Sequence, residues 1–200
     1  MSRYPTRSWR AFDPQRAAPV TAAAAPVPAA VEGLRVLGLD PGSRTTGFGL
    51  VECRSGQWRH VAHGCIVAAP AGTLAERLRL IFERLSELVV QHAPAEVAIE
   101  RVSVNRIVDS ALKLGQARGA AICGAAEATV RFYEYAPRQI KLAVVGSGGA
   151  DKAQVQLMVK SLLKLGERVA ADAADALAAA VCHALRQGAR SAAARASERS

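Results

Sequence analysis

Aromatic residues are scarce, at 4% of the 200-residue chain. A core has to be assembled from Ala, Val, Leu and Ile instead, and with half the residues hydrophobic there is enough material for one. Cysteine is sparse too. Cys53, Cys65, Cys123 and Cys182 form no CxxC pair and fit no zinc spacing, so they read as buried free thiols in a reducing compartment. His60, His63, His92 and His183 show no metalloprotease spacing. No apolar run reaches the roughly 20 residues needed to cross a bilayer, so no membrane association is expected. Acidic residues are outnumbered, 17 against 26 Lys and Arg, for a net charge of +9. The excess persists between the two ends of the chain. A basic folded part suits a polyanion, whose phosphates release counterions on binding, although ordinary solubility charge accounts for it as well.

The chain divides by composition. Residues 1–33 are rich in Ala, Pro and Arg, and the recurring Pro blocks both helix and strand ladders. A disordered extension is expected there, with a targeting peptide as the alternative. Residues 188–200 have no apolar periodicity and read as a disordered basic tail. One folded domain is expected over residues 34–187.

Within that domain the pattern is mixed α/β. Apolar or β-branched runs at 34–40, 45–53 and 59–68, separated by short turns, predict an antiparallel meander. Apolar residues at helical spacing, Leu74, Leu78, Ile81, Leu85 and Leu88, predict a helix over 74–93. A short buried strand at 95–100, a helix at 109–128 and a strand at 131–136 follow, then helices near 151–165 and 171–187. Strands followed by alternating strands and helices make an α/β layer fold.

Four carboxylates sit where chemistry is expected. Asp40 and Glu100 each end an apolar strand, and in open α/β sheets ligands gather beyond strand ends. Each also has a plain structural explanation: Asp before Pro-Gly starts a turn, and Glu after an apolar run returns the chain to water. Asp172 and Asp175 lie in the nearly uncharged run VAADAADALAAAVCHAL, on one face of a helix. N-terminal capping explains one of them. Two like charges on an Ala-rich face are better explained by a shared cation. Four carboxylates without a Cys or His cluster select a hard cation such as Mg²⁺, which takes oxygen ligands. Two such ions about 4 Å apart can activate water and stabilise the leaving oxygen in phosphodiester cleavage.

The segments LGLDPGSRTTGFGLVE, VAIERV, DSALKLGQARGAA, YAPRQIKLAVVGSGGADKAQVQLMVKSLLKL and ADAADALAAAVCHA, in this order, closely resemble the RuvC family of crossover (Holliday) junction endodeoxyribonucleases. The resemblance spans about residues 34–186. It implies an RNase H-like fold, a five-stranded mixed sheet flanked by helices on both faces. It implies a cytoplasmic homodimer that cuts two opposed strands of a four-way DNA junction, with Mg²⁺ or Mn²⁺ as two ions per site and RuvA with RuvB as partners. The family's catalytic, metal-binding carboxylates fall on Asp40, Glu100, Asp172 and Asp175, and its DNA-contacting lysines on Lys141 and Lys152. Lys152 also begins a four-residue row with Gln156, Lys160 and Lys164. The Ala- and Gly-rich helix after Asp109 suits a dimer contact through close backbone approach. Arg118 and Arg138 lie in matched segments without an assigned role.

The chain departs from the family at Ser103, where an aromatic is usual, and at Ile107 and Val108 before Asp109. An aromatic stacks on an unpaired base and a serine does not, so cut-site preference is the property these positions touch. Two rival readings follow from the same sequence. DPGSRTTG is similar to the phosphate-gripping turn of sugar-kinase and actin-like ATPases, and a junction-binding protein without catalysis would keep the same basic surface.

Overall fold

The computed structural model describes residues 33–54, 57–101, 108–126, 130–166 and 168–197. The expectations for residues 1–32 and for Ser103 and Ile107 lie outside the described residues.

The first strands are β1 (Leu34–Asp40), β2 (Thr45–Arg54) and β3 (Gln57–Val67), paired antiparallel as the meander requires. The helix α1 (Leu74–His92) returns the chain to β4 (Glu96–Glu100), which lies parallel to β1 on its other side. A second helix, α2 (Val108–Ala125), leads to β5 (Arg131–Tyr135), parallel to β4. The result is a five-stranded mixed sheet in the order β3-β2-β1-β4-β5. Three helices complete the chain: α3 (Pro137–Val145), α4 (Lys152–Leu162) and α5 (Ala171–Ser197).

Both faces of the sheet are covered, which is why the central strand β1 is apolar almost throughout. Leu37, Leu39, Leu50, Val97 and Ile99 pack with Ile81, Leu85 and Val89 of α1 and with Ala117 and Ala121 of α2. Val36, Val51 and Ala98 face the other way, toward α3, α4 and α5. Helix α1 begins where the sequence places it. The Thr73 hydroxyl accepts from the Glu76 amide, and the Glu76 carboxylate accepts from the Thr73 amide, satisfying two otherwise unpaired groups.

Three features differ from the sequence-based expectation. Helix α3 was not foreseen. Its signals are short but present: Pro137 at the first turn, and Ile140 and Val144 one turn apart and buried. Helix α4 ends at Leu162, and Lys164 adopts a left-handed conformation (φ 53°), so the Lys152 row is broken before Lys164. Helical backbone in α5 continues to Ser197, past the residue-187 boundary expected for the folded domain. Ala and Arg are strong helix formers and carry a helix onward without an apolar face.

Helix α5 approaches the sheet more closely than side chains normally permit. A Cβ at Gly38 would overlap the Ala176 carbonyl, and one at Gly47 would overlap the Asp172 carbonyl. At Gly49 it would lie 2.6 Å from Leu177. The buried face of α5 is nearly all alanine, a surface too smooth to set a register by interdigitation. A buried polar chain does so. Tyr135 Oη lies 2.6 Å from His183 Nδ1, and His183 Nε2 lies 2.5 Å from Glu96 Oε2. Arg131 adds an ion pair to Glu96 at 2.8 Å. Burial works to raise the Glu96 carboxyl pKa. The hydrogen bond and charge of His183, with the Arg131 charge and Gln187, more than offset it, so the carboxyl titrates below its usual range.

Gly38→Ala is expected to destabilise the fold by about 3 kcal/mol, since backbone atoms rather than a flexible side chain must yield. Urea denaturation of the two proteins checks this. His183→Leu is expected to cost about 3 kcal/mol or more in the same assay, because it leaves Glu96 charged and buried with one exposed cation, Arg131, and only long hydrogen bonds from Tyr133 and Gln187.

Candidate active site

The strands β1 and β4 are parallel neighbours, so Asp40 and Glu100 end at the same edge of the sheet. Asp40 pairs with Gly47 across β1 and β2, and Gly47 is where the first turn of α5 rests on the sheet. That contact delivers Asp172 and Asp175 to the same edge. All four carboxylates are thereby brought together by three elements, β1, β4 and α5. Beside them lies a cleft of about 320 Å³, lined by Glu100, Asp175, Lys141 and Lys152 with the apolar Ile140 and Val155.

The lysines enter from the flanking helices. Lys152 is the first residue of α4, which Asp151 caps by accepting from the Gln154 amide at 2.8 Å. Its ammonium reaches Asp175 at 2.5 Å, and this contact raises the lysine pKa. Lys141, on α3, lies near enough to Glu100 to favour the charged form of that carboxylate.

Burial and like charge together set the electrostatics. Burial pushes the Asp40 carboxyl up to about 7, reinforced by the negative charges of Asp175, Glu100 and Asp172 and partly offset by Lys152. Glu100 is raised as well, by burial first and then by Asp175. Cys65, opposite Gly47 on β3, is raised by burial and by Asp172 and Asp40, which keeps the thiol protonated. Among the described residues no three His, Cys, Asp or Glu side chains already close to ligating distance. The donor set is nevertheless all hard oxygen, and it holds more negative charge than its surroundings neutralise. A divalent cation suits both properties.

The sequence matches the family described as crossover junction endodeoxyribonuclease RuvC over residues 36–183. The chain belongs to the RuvC family. It is 55% identical over 149 residues to the RuvC of Alkalilimnicola ehrlichii, covering 74% of this chain and 90% of that protein. It is 53% identical to the RuvC of Pseudomonas putida over 74% of this chain and 85% of the relative. Among solved structures, Thermus thermophilus RuvC superposes with a TM-score of 0.69 at 36% identity, covering 78% of this chain and 97% of that one. The same protein in complex with a Holliday junction substrate gives 0.72 at 35% identity, covering 77% and 94%. The fold is thus the RNase H-like one, as the resemblance implied.

Two features that support this site from outside it were not read from the sequence. One is Arg118, which had no assigned role and lies under Glu100 with 13% of its side chain exposed. The other is the Glu96–His183 pair. Its signal was available: a histidine in an otherwise apolar helix, and a glutamate opening an apolar strand.

The raised Asp40 pKa gives the metal-free protein a pH dependence of definite sign. Between the usual carboxyl value near 4 and about 7 the folded state binds the extra proton, so stability falls as pH rises through that window. Above pH 7, with chelator present, Asp40→Asn is expected to be more stable than the parent by an amount on the order of 2 kcal/mol, allowing for solvent screening. The difference should vanish below about pH 4. Thermal melts across that range check it.

Proposed function

We propose that this chain is a structure-selective endonuclease that resolves four-way DNA (Holliday) junctions, in recombination and repair, by paired, metal-dependent phosphodiester hydrolysis. The observation that carries the reading is the gathering of Asp40, Glu100, Asp172 and Asp175 at one sheet edge, beside two lysines, in a chain of this family.

In this reading the four carboxylates are the catalytic and metal-binding residues. Asp40, which feels the charges of the other three, would hold the cation together with Glu100, Asp172 and Asp175; Mg²⁺ would be the natural occupant, as two ions, and Mn²⁺ a substitute. When bound, such a pair lowers the pKa of water to supply the nucleophile and stabilises the departing oxygen. The protein holds the phosphate in place. Lys141 and Lys152 line the cleft and set positive charge against the DNA backbone. Ile140 and Val155 give the same cleft an apolar wall.

Two opposed cuts require two sites related by symmetry, so the working unit is a homodimer. Helix α2 supports this. Val108 and Leu112 are 84% and 62% exposed, and a Cβ at Gly115 or Gly119 would meet open space. These four positions follow one helical stripe, available for close approach by a second copy. At its far end α2 turns small residues inward instead: a Cβ at Gly124 would lie 2.5 Å from the Phe82 carbonyl of α1. The partner complex is RuvA with RuvB, and the location the cytoplasm, where the free thiols stay reduced. Among the described residues no helix is long and apolar enough to cross a membrane. The domain proper is residues 34–187, with residues 1–33 and 188–200 as appendages.

Cleavage of a labelled synthetic four-way junction tests the reading. Symmetric nicks that need Mg²⁺ and spare a linear duplex are expected. Asp40→Asn should lower cleavage by at least 1000-fold, an order-of-magnitude figure for removing a central electrostatic group, while leaving junction binding in a gel-shift assay within a few-fold. Tight binding without cuts in either Mg²⁺ or Mn²⁺ would overturn the enzymatic reading in favour of a junction-binding protein.

A further inference from the structure

Among the described residues, the strand end that carries Glu100 lacks a backbone donor. The Arg101 amide donates to the Tyr135 carbonyl at 2.7 Å, toward β5. The Glu100 carbonyl belongs to the same trans peptide group and points the opposite way, toward β1. The register pairs Gly38 with Ala98 and Leu39 with Ile99. Carried one step further, it offers the Glu100 carbonyl the amide of residue 41. That residue is Pro41, which has no N–H.

Arg118 supplies the missing donor from the opposite face of the sheet. Its guanidinium Nη1 donates to the Glu100 carbonyl at 2.6 Å, and Nη2 donates to Glu134 Oε1 on β5, also at 2.6 Å. Glu134 orients the fork, and the planar guanidinium lets one side chain bridge two strands in a fixed geometry. The Glu100 side chain points to the face covered by α3, α4 and α5, while Arg118 comes from α2 on the other. Arg118 therefore sits outside the site and acts on it only through the backbone of Glu100.

We propose that Arg118, held by Glu134, is a positioning residue that replaces the donor absent at Pro41 and so fixes the Glu100 carboxylate for cation binding. This rests on the metal-site reading of Asp40, Glu100, Asp172 and Asp175. Partners that orient a metal ligand typically cost 10- to 100-fold in metal affinity or activity when removed.

The test measures Mg²⁺ affinity on the full-length protein without DNA, from the rise in melting temperature with Mg²⁺ concentration, and junction cleavage against Mg²⁺ in parallel. The variants are Arg118→Met, Arg118→Lys and Glu134→Gln, with Asp40→Asn as the control. The expected result is a Mg²⁺ midpoint raised about 10-fold in Arg118→Met. A rise of a few-fold is expected in Arg118→Lys and in Glu134→Gln, where one donor or its orientation is kept. Junction binding in the absence of divalent ions should be unchanged in all three. An unchanged Mg²⁺ midpoint overturns the proposal, whether or not the melting temperature or the cleavage rate falls, because Arg118 is then only a stabilising contact. Should Arg118→Met fail to fold, the other two variants decide, since Glu134 is about half exposed and its substitution removes no core contact. A parent protein whose Mg²⁺ response matches that of Asp40→Asn would instead refute the metal-site reading itself.

Discussion

Helix α5 meets the sheet backbone to backbone, and the rest of the site is arranged around that approach. At Gly38, Gly47 and Gly49 there is no room for even a methyl group beneath Ala176, Asp172 and Leu177. The contact at Gly47 sits one strand away from Asp40 in the register, so the first turn of α5 has no freedom to place Asp172 and Asp175 elsewhere. Close packing of this kind is stiff, because small residues leave neither voids to relax into nor side chains to rotate. That stiffness is what allows like charges to be held together at a strand edge.

Smooth packing has a complementary weakness. An alanine face slides and rotates with little penalty, so it holds a helix near the sheet without choosing its register. The chain Tyr135–His183–Glu96 makes that choice. Each member belongs to a different element, and each is almost fully buried, so a misplaced helix would strand a charge in the core. His183 lies two helical turns beyond Asp175, on the same face. The polar chain in the core and the carboxylates at the edge are therefore positioned by one helix rotation.

The site itself works against the stability of the fold. Burial and mutual repulsion drive Asp40 toward neutrality, offset in part by Lys152, and raise Glu100 likewise, offset in part by Lys152 and Lys141. The remaining stability comes from the two apolar layers on either side of the sheet. A cation held among them, as proposed, would reverse the sign of the interaction and turn groups that repel into ligands. Ion binding and folding would then be coupled.

Much of this was legible in the residues alone. Apolar and β-branched runs placed the meander and the strands β4 and β5, helical spacing placed α1, and a capping residue marked the start of α2, because burial and capping leave their mark on local sequence. The four carboxylates stood out because a charge at the end of an apolar strand, or in an alanine helix, has few cheap explanations. Helix α3 was missed because nine residues carry too few turns for a periodic signal. Arg118 stayed without a role because its partners are a carbonyl and a side chain on two other strands, and no local pattern encodes an approach from across the sheet. Sequence by itself determined which residues are apolar, which are charged and which elements they form, since those follow from neighbours within a turn or two. Tertiary structure alone decided that Asp40, Glu100, Asp172 and Asp175 share one edge, that Pro41 leaves a carbonyl unpaired and that Arg118 answers it. Such pairings depend on strand register and helix rotation, which are settled only when distant segments pack.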